Sequence, residues 1–126
     1  MERRPILVVD DDLYVRDALS ALIETMGFGV VAAVNGRDAL DRIDRAAPPC
    51  LVVLDLEMPV MDGWGFREAL LRDPRLAGIP VVVMSAPPGR RPRPPRLAAD
   101  LPKPVDADEL FEAIEQHCDA REWQRP

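Results

Sequence analysis

Three short apolar runs that each end in a polar residue constrain the fold of this chain more than any other feature. They occupy residues 5–10 (PILVVD), 50–55 (CLVVLD) and 79–85 (IPVVVMS). Each run is rich in β-branched residues and does not alternate between apolar and polar positions, which is typical of strands that are covered on both faces. Such strands occur in parallel sheets that carry helices on both sides. The runs therefore predict a parallel sheet at the centre of the fold.

Helix signals separate these runs. Asp12 and Asn35 stand at the starts of two amphipathic patterns, where a side-chain oxygen can accept the free amide protons of the first turn. Gly27 ends the first pattern, and the proline pair at 48–49 is predicted to end the second after Ala47. The other predicted elements are a strand at 28–34, a helix at 64–73, a fifth strand before Lys103 and a last helix capped by Asp106. This alternation of strand and helix is typical of the α/β class.

Composition limits the classes of function. At 126 residues, 48% of them apolar, the chain fits one folded domain over 1–126. A net charge of −6 argues against direct nucleic-acid binding, which needs clustered lysine and arginine. No apolar run approaches the roughly 20 residues of a membrane span, and the first run meets an acidic triplet, which is inconsistent with a signal peptide. We therefore expect a cytoplasmic protein without membrane insertion, with Cys50 and Cys118 as reduced thiols.

Polar groups are expected to meet at one edge of the sheet, because the carboxyl ends of parallel strands lie together and ligands bind there. That edge gathers Asp10, Asp11, Asp55 and Ser85, and Lys103 follows the fifth strand. Clustered carboxylates repel one another unless a cation neutralises them, and an all-oxygen site with room for water suits Mg²⁺. A carboxylate can itself be the nucleophile, while Mg²⁺ and a lysine stabilise charge on a transferring phosphoryl group. These residues predict Mg²⁺-assisted phosphoryl transfer to an aspartate.

The motifs ILVVDDD, VVLDLEMPVMDG, VVVMSA and LPKPV, in this order and spacing, resemble a response-regulator receiver domain of two-component signalling, the CheY-like family. The resemblance covers nearly the whole chain. It implies a flavodoxin-like, doubly wound parallel sheet of five strands in the order 2-1-3-4-5. It also implies a signalling switch that is not an enzyme, apart from its own phosphorylation and dephosphorylation.

The resemblance implies roles for the acidic residues. Asp55 matches the phosphoacceptor and is also a Mg²⁺ ligand. Asp10 and Asp11 match the acidic pair, with Asp11 the more direct ligand and Asp10 acting largely through water. Glu57 sits where the family offers a backbone carbonyl to the metal.

The resemblance also implies a switch. Ser85 matches the hydroxyl that moves onto the phosphoryl group, and Lys103, before a cis bond to Pro104, matches the lysine that pairs with it. The chain departs from the family at Asp100, where a switch aromatic usually stands. Together with the departure described next, it argues against the usual switch mechanism, and neither departure touches the acidic site.

The second departure is the segment 85–97, SAPPGRRPRPPRL, which stands where the family places its fourth helix. Its prolines remove amide donors and clash with helical turns, at about 3 kcal/mol or more for each interior proline. We therefore predict that the fourth helix is lost or cut to about one turn near 96–100, leaving a mobile, arginine-rich crossover loop with fast amide exchange over 86–96. Residues 121–126 are predicted to form a C-terminal tail.

Three functions from different classes fit these observations. The first is a receiver that takes a phosphoryl group from a partner histidine kinase or phosphotransfer protein and signals to an output protein that the sequence does not identify. The second is a pseudo-receiver, used as a phosphorylation-independent interaction module. The third, a Mg²⁺-dependent phosphatase of small molecules, is disfavoured because no cap domain or substrate pocket is evident. Each of these functions is compatible with a homodimer.

Overall fold

The computed structural model describes residues 4–86 and 91–118. Strands and helices alternate in the order β1 Ile6–Val9, α1 Leu13–Thr25, β2 Val30–Ala33, α2 Gly36–Arg42, β3 Leu51–Asp55, α3 Gly63–Arg72, β4 Val81–Ser85, β5 Ala99–Pro102 and α4 Ala107–His117. The predicted α/β class is confirmed. Residues 87–90 of the crossover and the predicted tail at 121–126 lie outside the described residues.

The strands form one five-stranded sheet in the order β2-β1-β3-β4-β5, and every pairing is parallel. This is the predicted order. The register pairs Val9 with Leu54 and Ser85 with Pro102. The residues that follow these positions therefore leave the sheet at one edge, the carboxyl edge.

Successive apolar residues of β1, β3 and β4 belong alternately to two different cores. In β1, Ile6 and Val8 belong to a core that contains buried residues of α1 and α4. Leu7 and Val9 belong to a second core, with buried residues of α2 and α3. None of the four is more than 1% exposed. This double coverage is why the apolar runs of these three strands do not alternate with polar residues.

The start of α1 lies where the sequence predicts it, whereas the end of α2 does not. Asp12 accepts the backbone N–H of Tyr14 at 2.8 Å and so caps α1 as predicted. However, α2 ends at Arg42, and the predicted extension to Ala47 is wrong. The Asp44 side chain accepts the backbone N–H of Ala46 at 2.9 Å, a local bond that competes with helix continuation. Within the described part of the chain, no helix has the length and apolar character that crossing a membrane requires.

No helix lies between β4 and β5 in the residues that the structure describes there, Ala86 and 91–98. The predicted loss of the fourth helix is therefore confirmed for these residues. The alternative of a single turn near 96–100 is not found, since β5 begins at Ala99.

Side chains of α3 bind carbonyl groups of the crossover. Trp64 donates its indole N–H to Pro92 O at 2.8 Å. The Arg67 guanidinium donates to the carbonyls of Pro95 and Arg96, at 3.2 and 2.7 Å. These bonds hold the described part of the crossover against α3. They weigh against the mobility that we predict from the proline content, and amide exchange is the test.

The two cysteines lie next to each other although they are distant in sequence. Cys50 precedes β3 and Cys118 follows α4, and both side chains are buried. Their sulfur atoms are 2.7 Å apart. The reduced state of both thiols stays a prediction, and the contact between them had no signal in the sequence.

Candidate functional site

A cleft of about 280 Å³ opens at the carboxyl edge of the sheet. It is lined by all the predicted site residues together with two neighbours: Asp10, Asp11, Asp12, Asp55, Glu57, Ser85, Ala86 and Lys103. The topology produces this convergence, because β1, β3 and β4 are neighbours and all end at this edge. The structure therefore brings together the residues that sequence analysis assigned to one site.

Three carboxylates form the acidic part of the cleft. Asp10 follows β1 and is fully buried, Asp55 is the last residue of β3 and is 5% exposed, and Asp11 is exposed. One carboxylate oxygen from each lies within 4.8 Å of the others. The Asp10 carboxylate also accepts the backbone N–H of Asp12 at 2.9 Å, which fixes its orientation. Such close negative charges are unfavourable unless cations lie beside them.

Lys103 supplies one cation. Its Nζ lies 3.1 Å from Asp10 Oδ2 and 3.5 Å from Asp55 Oδ2, so it pairs with both carboxylates and not with Asp55 alone. The lysine backbone N–H donates to Ser85 O at 3.0 Å, and the bond to Pro104 is cis, as predicted. Burial alone would lower the pKa of Lys103, but the hydrogen bond to Asp10 and the attraction of Asp55 outweigh it and raise that pKa. The ammonium is therefore held in its charged form.

One ammonium does not neutralise the cluster. Burial, followed by repulsion from Asp10, raises the pKa of Asp55 from 3.8 to about 6. Attraction to Lys103 and the backbone N–H of Glu57, 3.3 Å from Asp55 Oδ1, offset only part of this rise. Ionised Asp55 thus lies in a site with unbalanced negative charge, where a further cation would be stabilising.

The donor set fits Mg²⁺. The three clustered ligands are all carboxylate oxygens, and the exposure of Asp11 leaves the site open to water. Mg²⁺ prefers oxygen ligands and keeps several waters. Asp10, Asp11 and Asp55 would hold the ion here. The Glu57 side chain is exposed at the cleft, and the role of its backbone carbonyl stays a prediction.

Ser85 has a partner that sequence analysis missed. Its side chain is at the end of β4 and only 7% exposed. Arg93 Nη2 donates to Ser85 Oγ at 2.7 Å, and Arg93 Nε donates to Asp100 Oδ2 at 2.6 Å. One arginine of the crossover therefore links the predicted switch hydroxyl to the residue that stands in the place of the switch aromatic.

Gly63 is a second residue whose part in the site was missed. A Cβ atom at this position would lie 2.7 Å from Leu56 Cα and 2.8 Å from Asp55 O. The Gly63 backbone N–H donates to Leu56 O at 2.8 Å. The start of α3 can press against the backbone of the acceptor strand only because this residue has no side chain. The Asp-Gly pair that opens α3 was the available sequence signal.

Comparison with known proteins agrees with this architecture. A family model described as "Response regulator receiver domain" matches residues 6–115. Response regulator Rre1 of Synechocystis sp. is 38% identical over 122 residues, which is 93% of this chain and 52% of that protein. An uncharacterized 14.6 kDa protein of Leptolyngbya boryana is 35% identical over 117 residues, 90% of this chain and 88% of the relative. This chain therefore spans about half of Rre1 but most of the second relative.

Solved structures show the same fold. The response regulator StyR matches with a TM-score of 0.82 at 33% identity, over 92% of this chain and 59% of the other. The chemotaxis protein CheY4 of Vibrio cholerae matches with a TM-score of 0.77 over 91% of this chain and 98% of the other, and its 22% identity supports the fold alone. Because the family model matches residues 6–115, most of the sequence, this chain belongs to the response regulator receiver domain family.

Proposed function

We propose that this receiver accepts a phosphoryl group on Asp55 from a partner histidine kinase or phosphotransfer protein, with Mg²⁺ as its cofactor. One observation carries the proposal: the buried Asp55 carboxylate ends β3 within 4.8 Å of two further carboxylates and 3.5 Å from the Lys103 ammonium. A nucleophilic carboxylate, a cation-binding acidic pair and a fixed ammonium are the groups that phosphoryl transfer to an aspartate needs.

In the proposed step, an Asp55 carboxylate oxygen forms a bond to phosphorus. The bond from phosphorus to the donor's histidine nitrogen breaks, and the released imidazole takes up a proton. When bound by the acidic cluster, Mg²⁺ supplies positive charge against the phosphoryl oxygens. Lys103 would transfer its pairing from Asp55 to the new phosphoryl group, and the Ser85 hydroxyl would donate to it.

We propose that the phosphorylated receiver acts in the cytoplasm by contacting an output protein, and that its chemistry is limited to its own phosphorylation and dephosphorylation. The overall charge of −6 supports a protein partner over nucleic acid. A homodimer formed on phosphorylation would also be consistent with this function.

Intact-mass measurement after incubation with acetyl phosphate tests the proposal. The parent protein should gain the mass of one phosphoryl group with Mg²⁺ and none with EDTA. Asp55→Asn should abolish the gain, and Asp11→Ala should weaken it greatly. Glu57→Gln is the matched control, because it removes a carboxylate from the cleft but keeps the backbone carbonyl, so labelling should persist. Unchanged labelling of Asp55→Asn would overturn the assignment.

A second candidate function is a pseudo-receiver that binds its partner without phosphorylation. It is favoured by the contact of Arg93 with the Ser85 hydroxyl and by Asp100 at the position of the switch aromatic. The same experiment separates the two functions. A parent protein that stays unlabelled at saturating Mg²⁺ would favour the pseudo-receiver.

A further inference from the structure

Arg93 occupies a bridging position in the crossover. Its side chain is 32% exposed and donates to Ser85 Oγ on one side and to Asp100 Oδ2 on the other. These residues and Pro102 line a cavity of about 190 Å³ beside the acidic cleft. A guanidinium presents its donors in a rigid fork, so it can hold two acceptors in a fixed relation. Ser85 and Asp100 are therefore joined through one rigid group.

We propose that Arg93 is the positioning residue that couples phosphorylation of Asp55 to the path of the crossover. This inference rests on the proposed function, since it requires a phosphoryl group on Asp55. In the unphosphorylated protein, Arg93 holds Ser85 Oγ as an acceptor and pairs with Asp100. After phosphorylation, the Ser85 hydroxyl donates a hydrogen bond to the phosphoryl group. Arg93 then follows Ser85 toward the cleft, and its ion pair with Asp100 weakens.

Electrostatics favours this movement. A phosphoryl group at neutral pH carries about 1.5 to 2 negative charges and three strong acceptor oxygens. Since the Asp55 carboxylate loses its own charge when it bonds to phosphorus, the site gains about one negative charge at most, and this charge lies farther out from the strand end. Asp100 offers Arg93 a single exposed carboxylate, whose attraction is screened by solvent. Ser85 lines both the acidic cleft and the cavity that contains Arg93, so the new charge arises one side chain away from the guanidinium.

The crossover contacts would carry the movement to the surface. Arg93 directly follows Pro92, whose carbonyl accepts the Trp64 indole N–H at 2.8 Å. The guanidinium carbon of Arg91 lies 4.0 Å from the centroid of the Trp64 ring. A shift of Arg93 that moves its backbone would displace the adjoining Pro92 carbonyl, and we expect this to alter the surroundings of the indole. Since Trp64 is on α3 and does not line the acidic cleft, its fluorescence reports the crossover and not the metal.

The experiment follows Trp64 emission during phosphorylation. The chain has two tryptophans, so a Trp123→Phe background makes Trp64 the only one. Mg²⁺ is present throughout, acetyl phosphate starts the reaction, and intact mass gives the labelled fraction of each sample. In this background we expect the emission to change in proportion to labelling.

Variants separate coupling from mere anchoring of the loop. Arg93→Ala should be labelled yet lose at least four-fifths of the emission change per labelled molecule. Arg93→Lys keeps the positive charge but not the planar, forked set of donors. This variant should show less than half of the parent's emission change per labelled molecule. Arg91→Ala is the matched control: losing its ring contact changes the starting emission, but the phosphorylation-dependent change should persist. Circular dichroism checks that each variant is folded.

Two results would overturn the inference, and they are distinguishable. A full emission change in labelled, folded Arg93→Ala would overturn the coupling and leave the proposed function intact. No mass gain in the background protein would overturn the proposed function and the coupling with it. If Arg93→Ala does not fold, Asp100→Asn decides: removing the competing carboxylate should move the starting emission toward the phosphorylated value, and an unchanged starting emission would count against the coupling.

Discussion

Replacing Asp55 by asparagine should stabilise the metal-free protein at neutral pH, even though it removes the proposed acceptor. The reason is the cost of ionised Asp55 in its own site. Burial and the Asp10 carboxylate raise its pKa from 3.8 to about 6, despite the attraction of Lys103. A pKa change of about two units corresponds to about 3 kcal/mol between the protonated and ionised forms.

The sign of the pH dependence follows from the same shift. Because the pKa of Asp55 is higher in the folded state than in the unfolded state, the folded protein holds more protons between about pH 4 and about pH 6. Stability contributed by the protonated form is therefore lost as the pH rises through that window. The destabilisation of the folded state by ionised Asp55 is therefore complete above about pH 6 and becomes small toward pH 4.

We expect Asp55→Asn to be more stable than the parent by about 1–3 kcal/mol in EDTA at pH 7.5, because a buried amide has a desolvation cost of its own. At pH 4 the difference should shrink to a fraction of this. Urea unfolding followed by circular dichroism measures both values. Saturating Mg²⁺ should remove the advantage, since it stabilises only the protein that keeps the acidic cluster.

Asp73→Asn is a control whose stability should change in the opposite direction. The backbone N–H of Arg75 and the side chain of Arg45 lower the pKa of Asp73, so its contribution is present at neutral pH and lost as the pH falls. This variant should be less stable than the parent at pH 7.5. Equal or lower stability of Asp55→Asn in EDTA at pH 7.5 would refute the argument that burial and the Asp10 carboxylate make ionised Asp55 destabilising.

Three further predictions concern single residues near the site. Lys103→Ala should reduce the phosphorylation-dependent shifts of backbone amide signals more than it weakens Mg²⁺ binding, and the full set of shifts in this variant would contradict its role. Gly63→Ala should lower the free energy of unfolding by about 1–3 kcal/mol and be phosphorylated slowly, because the new Cβ would lie 2.7 and 2.8 Å from backbone atoms. Gly65→Ala is the control, since the closest contact of its Cβ is a side-chain atom at 3.3 Å. It should lose much less stability in urea unfolding and show nearly normal labelling by intact mass. Val60 is 85% exposed with a φ of 69°, so Val60→Gly should gain about 1 kcal/mol by relieving left-handed strain, and Val60→Ala less; a loss of stability in Val60→Gly would argue against strain.

The acidic site was predictable because it depends on local patterns. The apolar runs that end at Asp10 and Asp55 indicate buried parallel strands, and such strands must end at a common edge. The chain order of elements then brings Lys103 back to that edge. The cation-binding acidic pair and the ammonium therefore follow from residues whose positions are set by strand periodicity.

The path of the crossover was not predictable in the same way. Prolines exclude a helix there, but they do not say against which surface the chain lies. The contact between Arg93 and Ser85 depends on that path, as does the bond from Trp64 to Pro92, which joins residues 28 positions apart. No periodic pattern encodes either contact. The early end of α2 is different, because the sequence does contain its cause. The Asp44 side chain competes for a backbone amide before the helix reaches the proline pair at 48–49.

The proposed phosphoryl transfer to Asp55 and the surface that a partner would recognise thus depend on different parts of the molecule. Asp10 and Asp55 are held by buried strand ends, which need no support from a helix between β4 and β5. This explains how the chain can lack that helix in its described residues and keep the acidic site. The surface beside the site is instead formed by the crossover, whose link to the cleft runs through Arg93 and Ser85. Changes in the crossover should therefore alter what a partner recognises without altering the transfer of the phosphoryl group, so labelling and Trp64 emission must be measured separately.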